Sequence, residues 1–237
     1  MIYIPELEGS LQQEIIAAES NFDLLPVQLD GELESILQEI AAGNPVLVMQ
    51  NLGLEIYPQW HYAVAIGFDL TTQTIILRSG TNRRLLRSFS LFERTWQKSG
   101  YWSLVVVPPT LVPESVTADR FLSSVIEIEQ VGKTSAAHQA YLSATQKWPT
   151  NLLARTGAGN TAYALGDYQQ AESAYRQVLQ LSPEKADIWN NLAYALASQG
   201  KRSESMEAID RALQISPGNI NYLESQKELR RWPGSSN

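Results

Sequence analysis

The sequence predicts a two-part chain, an α+β half followed by an all-α repeat solenoid. Three observations carry this. Glycine and proline recur every 34 residues in the second half, at Gly132, Gly166 and Gly200 and at Pro149, Pro183 and Pro217. The first half shows helix-period patterns, then short runs rich in β-branched and aromatic residues. Between them, Pro108, Pro109 and Pro113 interrupt any regular element, so 109–117 reads as a stiff Pro-rich linker between domains 1–108 and 118–237.

In the first half, Ser10 can cap a helix over 11–18, with Gln13 three residues on as its capping-box partner. A second helix starts at Asp30 or Gly31 and runs through Leu33, Ile36, Leu37 and Ile40, an apolar i, i+3, i+4, i+7 stripe. Gly43-Asn44-Pro45 closes it. Strands are expected at 46–49, 61–68, 74–77 and 102–107. The stretches 69–72 and 80–82 read as hairpin turns, and 91–97 as a helix. Helices first and an antiparallel sheet afterwards is the α+β order.

In the second half, small residues recur at Ala137, Ala171 and Ser205. Tyr141, Tyr175 and Ile209 follow four residues later, then Ala144, Val178 and Ala212. A small residue lets two helices approach closely, and the larger one fills the gap beside it. Glycine supplies the left-handed residue that ends the first helix, and proline stops the second. These columns resemble the tetratricopeptide repeat, with units at about 118–151, 152–185 and 186–219. Val125 and Glu127 degrade the first unit, and 221–232 reads as a solvating terminal helix. The resemblance implies a concave groove that binds an extended peptide or helix. Its candidate residues lie on the first helix of each unit: Arg155, Asn160, Tyr163, Asp187, Asn190, Asn191 and Tyr194. Asparagine amides suit a peptide backbone, since each both donates and accepts. The plainer alternative makes Asn190 a helix-surface residue and Tyr163 and Tyr194 packing residues. His138 reads as a surface residue in mid-helix.

Gly43-Asn44-Pro45-Val46-Leu47-Val48 is followed by His61-Tyr62-Ala63-Val64-Ala65-Ile66-Gly67-Phe68-Asp69. In this order, with the helix near 92–96 and the repeats after it, residues 1–108 resemble the second half of a papain-like cysteine peptidase. The closer resemblance is to the bacterial double-glycine leader peptidases, a hydrolase family. It implies that His61 stands at the family's general base and that Ser79 stands where the family carries its acid. Gln50 and Asn51, at the end of the preceding strand, line the same cleft in this reading. The chain contains no cysteine, so the family's nucleophile has no counterpart here. A serine at the acid's place also brings no charge to stabilise an imidazolium. The chain alone is therefore expected to be inactive and to bind peptide or protein through the repeats. The alternative is a fragment of an active enzyme whose Cys-bearing half is absent, in which case a dimer could cover the exposed face. A scaffold in which the first domain only packs is the third option, with His61 an ordinary strand-edge histidine. Arg78, Arg83, Arg84 and Arg87 read as a solvated hairpin paired with nearby acids, or as a clamp for a carboxylate.

At 44% hydrophobic and 18% charged the chain reads as globular, with no apolar run long enough to span a bilayer. Residues 1–115 carry 13 acids and 6 bases, and the rest carry 12 of each, so neither half suits general nucleic-acid binding. Two distant histidines and no cysteine offer no histidine- or thiolate-rich metal site, and no cofactor is expected. The first residues lack the basic start and apolar core of a signal peptide. As given, the chain is expected to stay in the cytoplasm, and a longer precursor could be exported or anchored.

Overall fold

The computed structural model describes residues 24–232, so the helix expected after Ser10 lies outside the described residues. Contacts divide the chain between Val131 and Gly132, and each unit is described by itself.

The first unit contains β1 (Leu25–Gln28), α1 (Leu33–Ala41), β2 (Val46–Asn51), β3 (Trp60–Asp69) and β4 (Thr74–Ser79). β5 (Asn82–Ser88), α2 (Phe89–Gln97), β6 (Ser103–Val107) and α3 (Ala118–Gln130) follow. The six strands form one sheet in the order β1-β6-β2-β3-β4-β5, every neighbour antiparallel. The register pairs Val46 with Ala65, Val48 with Ala63 and Gln50 with His61. Directly paired residues share a face, so these six side chains lie on one side of the sheet. Leu77 joins them opposite Ala65, and Val105 opposite Val46. All but the polar pair are almost fully buried apolar residues, and Phe92 and Trp96 of α2 are buried with them in the core. The hairpin between β3 and β4 is closed by Asp69, whose Oδ1 accepts from the backbone N–H of Thr71 and Thr72. The Thr72 bond holds the Asp69 carboxyl below its usual range, and the residue belongs to the turn.

Two expectations change here. Residues 109–117, read as a stiff linker between domains, pack against the first unit. Pro109, Pro113 and Val116 are buried, and Ser115 donates both its N–H and its hydroxyl to Glu39 Oε1 at 2.7 Å. Asn44 Nδ2 donates to the other oxygen at 2.8 Å, so a fully buried carboxyl on α1 gathers three donors and pins the segment. Prolines that remove backbone donors also leave fewer groups needing solvent, which suits a segment lying on a surface. Contacts accordingly divide beyond it, and α3 groups with the first unit.

Among the described residues the hairpin arginines do not pair with acids. Arg78, Arg83, Arg84 and Arg87 make no ion pair among the described residues, and Arg87 donates instead to the carbonyl of Leu86. β5 is the edge of the sheet and mostly exposed, and charge on an edge strand deters pairing with another chain.

The second unit contains α4 (Thr134–Lys147), α5 (Leu152–Ala164), α6 (Tyr168–Leu181), α7 (Ala186–Ser198), α8 (Arg202–Ile215) and α9 (Ile220–Arg231). First helices begin at 152, 186 and 220 and second helices at 134, 168 and 202, so the sequence period is also the structural one. Gly166 and Gly200 have φ of +83° and +76°. Each lies in a turn where the following residue donates back across the helix end, Asp167 to Ala162 and Lys201 to Leu196. Ala137, Ala171 and Ser205 are buried as the column predicts, and Ser205 donates its hydroxyl to the Ala193 carbonyl at 2.8 Å.

Tyr141 lies against Gly157 and Tyr175 against Gly159, each ring occupying the space a side chain would need on α5. His138 is not a plain surface residue. It is half-buried, and Nδ1 lies 2.9 Å from Oγ1 of the fully buried Thr161. The threonine hydroxyl donates to the Gly157 carbonyl at 2.6 Å, which leaves His138 Nδ1–H as the donor to Thr161.

Successive repeats are also joined by charge. Glu172 of α6 accepts from Lys201, Arg176 and Gln199, and Arg176 reaches Glu204 of α8 at 2.7 Å. Burial raises the Glu172 carboxyl, but these three donors outweigh it and hold the group at about 2. A depressed carboxylate stabilises the fold above its unfolded value near 4.5 and loses that contribution as pH falls toward 2. Acid titration of Glu172→Gln, followed by circular dichroism, is expected to show a smaller loss of stability in that window than the parent. Identical acid limbs would remove this role for Glu172.

Candidate functional site

Two sets of predicted residues come together, one in each unit. In the first, His61 opens β3 and Ser79 ends β4. Continuing the Ala65–Leu77 register brings Ser79 beside Ala63, one diagonal step from His61 on the same face. His61 Nε2 and Ser79 Oγ lie 2.7 Å apart. Gln50, directly opposite His61 on β2, is buried and donates to Thr95 Oγ1 of α2 at 2.6 Å. Thr95 donates its own hydroxyl to the Phe92 carbonyl at 2.9 Å. Gln50 is therefore held by the helix, a partner that a one-dimensional reading had no means to find.

Asn51 is not part of this face. Alternation along β2 turns it to the other side, where Oδ1 accepts from the N–H groups of Gly53 and Gln59 at 2.9 Å each. Its task is to fold the 52–59 loop, which Lys98 also holds through the Gly53 carbonyl. The cluster as it stands holds an imidazole through one nitrogen. The chain contains no thiol for that imidazole to activate.

In the second unit, hydrogen bonds join the first helices of successive repeats. Asn160 Oδ1 on α5 accepts from Tyr175 OH at 2.9 Å and from Asn191 Nδ2 on α7 at 3.2 Å. Two donors on the oxygen fix which way the amide points, and Nδ2 of Asn160 is left as an exposed donor. Burial, with Tyr163 nearby, pushes the Tyr175 phenol far up, so it remains a donor. Asn190 donates weakly to Asn191 at 3.4 Å, while its Oδ1 is buried with no donor. Tyr194 OH donates to Glu228 of α9 at 2.7 Å, and its ring meets Trp232 edge-on. α9 packs against α7, and burial raises the Tyr222 phenol, with the charge of Asp187 adding to this. Asn160, Asn191 and Tyr194 therefore lie where α5, α7 and α9 meet, Asp187 and Asn190 stand seven and four residues before Tyr194 on the same side of α7, and Tyr163 is partly buried against the same core as Tyr194.

Arg155 does not join them. Its Nε donates to the Pro149 carbonyl at 2.7 Å, and its guanidinium also contacts Gln177 of α6. Trp189, 34 residues on, donates to the Pro183 carbonyl at 2.8 Å. The same bond in the same column of two repeats marks this as a way of tying down the inter-repeat turn. Reading the two proline carbonyls as acceptors six residues upstream would have revealed it.

A family model described as tetratricopeptide repeat matches residues 156–220. Over that segment the chain is similar to tetratricopeptide repeats. The rat (Rattus norvegicus) protein sperm-associated antigen 1 is 37% identical over 67 residues, which are 28% of this chain and 7% of that protein. The chain thus spans only a small part of that relative. Among solved structures, the first tetratricopeptide-repeat domain of Spaghetti (RPAP3) bound to the HSP90 peptide SRMEEVD is 18% identical, with a TM-score of 0.46. It covers 48% of this chain and 90% of that one. MamA is 19% identical over 48% of this chain and 63% of its own, also with a TM-score of 0.46. Within the tetratricopeptide repeats, the residues that sequence reasoning missed are Tyr175 and Glu228. Tyr175 counts as a core column residue by period, and only the fold shows its hydroxyl reaching Asn160.

Proposed function

We propose that this protein is a peptide-binding module whose tetratricopeptide repeats hold an extended segment against α5, α7 and α9. Stacked helix pairs of this kind curve into extended concave surfaces. The observation that carries the reading is the Tyr175–Asn160–Asn191 chain of hydrogen bonds, which spends the Asn160 oxygen inside the protein and presents its N–H groups outward. Such a preset donor suits a peptide carbonyl and loses little freedom on binding. The test begins by panning a library of short random peptides against the full chain. Asn160→Ala combined with Asn191→Ala is expected to weaken the selected peptides about tenfold or more in fluorescence anisotropy. Equal affinity in the parent and the double variant would sink the groove.

One observation favours a second reading of the first unit. The 2.7 Å contact of His61 with Ser79 supports a papain-like half-domain in which these two hold the positions of the family's base and acid. In this reading the unit keeps a peptide-sized cleft without a nucleophile. Quenched peptides containing a Gly-Gly pair are expected to remain uncut by the chain. Turnover that disappears in His61→Ala would instead make it an enzyme in its own right.

A further inference from the structure

At one end of the first unit's sheet, four large apolar side chains face solvent within six residues. Leu52, Leu54, Ile56 and Tyr57, in the loop from β2 to β3, are between 53% and 77% exposed. The loop that carries them is pinned from inside. Asn51 holds both its ends, Lys98 Nζ donates to the Gly53 carbonyl at 2.9 Å, and Leu54 bridges to Tyr57. A Cβ at Gly53 would stand 2.4 Å from the Tyr57 carbonyl oxygen, so the loop already closes tightly on itself. Single apolar side chains on a surface are ordinary, but a cluster held outward marks a contact.

The charge beside this loop is a second observation. No lysine or arginine precedes Arg78, so the bases of residues 1–115 all fall within 78–98. Asn51 pairs with Trp60 and Ser79 with Asn82, and His61 touches Ser79, so the β4–β5 turn lies at the loop's end of the sheet. Arg78, Arg83 and Arg84 flank that turn on the next two strands from Trp60, about 5 and 10 Å across the sheet. All three are exposed and make no ion pair among the described residues. Protection of an edge strand accounts for Arg83 and Arg84 but not for Arg78, which stands on the inner strand β4. With Lys98 they set four bases against the loop's own acid, Glu55. Asp30 and Glu32 reach the same end but follow β1 at the opposite edge, about 20 Å from β4 and well beyond a screening length of about 8 Å. Glu93 lines a cavity with those two acids.

We infer that this end of the sheet docks on a membrane surface carrying anionic lipid headgroups. The apolar loop enters the boundary between headgroups and acyl chains. Tyr57 and Trp60 lie at the level that amphipathic rings favour, and the arginines meet the lipid phosphates. The shape of the patch favours lipid over a protein. Four exposed side chains on one tight loop form a protrusion, which a folded partner could receive only in a matching socket. A fluid lipid surface adapts to it.

The test sediments the full chain with vesicles of phosphatidylcholine, alone or mixed equally with phosphatidylglycerol. The mixed vesicles are expected to carry the chain down and the neutral ones to leave it in solution. Binding is expected to fall about tenfold between low salt and physiological salt. Leu54→Ser with Ile56→Ser, and separately Arg83→Gln with Arg84→Gln, are each expected to weaken it about tenfold or more. All four side chains are exposed, so the melting temperature should stay within a few degrees. A chain that stays in solution with the mixed vesicles overturns the inference, as does sedimentation that neither pair of substitutions reduces. Self-association that disappears in Leu54→Ser with Ile56→Ser, without vesicle binding, also overturns it and assigns the loop to a second copy of the chain.

Discussion

Replacing Gly157 by alanine is expected to lower the unfolding free energy by about 3 kcal/mol, although the site is the middle of a helix. On propensity alone the change would stabilise α5 by about 1 kcal/mol. Packing decides against it. A Cβ at 157 would stand 2.4 Å from Cε1 of Tyr141 and 2.5 Å from its Cζ. That ring is 2% exposed, so it has no open space to enter. Gly159 repeats the arrangement with Tyr175, at 2.6 Å from Cε1. Urea unfolding of the full chain measures both. Pairing Gly157→Ala with Tyr141→Leu should recover part of the loss, since the clash needs both groups. A Gly157→Ala protein as stable as the parent would mean that the helices shift apart freely, and the close-approach argument would fail.

The second large effect is expected at Glu39. Alanine there leaves Ser115 N–H, Ser115 Oγ–H and Asn44 Nδ2–H without their acceptor inside a buried site. The expected cost is about 3 kcal/mol. Glu39→Gln keeps one oxygen but turns an amide N–H toward one of the donors, so it should lie between alanine and the parent. Proteolysis provides an independent readout. Cleavage within 109–117 should accelerate in Glu39→Ala, because Ser115 ties that segment to α1. Unchanged cleavage and unchanged stability would show that the apolar contacts of Pro109, Pro113 and Val116 suffice.

These two sites differ in how readable they were. Gly157 lies inside a repeat, and its neighbour Tyr141 stands in a column that the 34-residue period makes visible. The contact joins residues 16 apart, on consecutive helices of neighbouring repeats. Glu39 and Ser115 are 76 residues apart, and no period connects them. A glutamate on an amphipathic helix reads as solvent-facing until the chain that follows β6 covers it. The contacts of the Pro-rich segment were hidden for the same reason, because prolines announce the end of an element and not what the next stretch touches.

The candidate sites divide similarly. His61 and Ser79 were chosen from the family resemblance and Gln50 from its nearness to His61, and the three share a face because antiparallel strands bring back the same side every second residue. Asn51 followed them in sequence and fell on the opposite face by that same alternation. In the repeats, Asn160, Asn190, Asn191 and Tyr194 were recognisable from their helix, and Arg155 was not separable from them. Its helix was right, but its guanidinium had a turn carbonyl within reach.

By itself the sequence determined the period, the helix ends and the two classes of structure. These follow from glycine at φ near +80°, small residues at crossings and alternation along strands, all of which act over a few residues. Only the tertiary structure decided which polar groups are spent inside the protein and which face outward. Tyr175 fixes the Asn160 amide, Glu39 is consumed by Ser115 and Asn44, and Ser205 is spent on the Ala193 carbonyl. A hydrogen-bond partner depends on a distance of 3 Å between residues that the chain may separate by any number, and that distance exists only once the fold does.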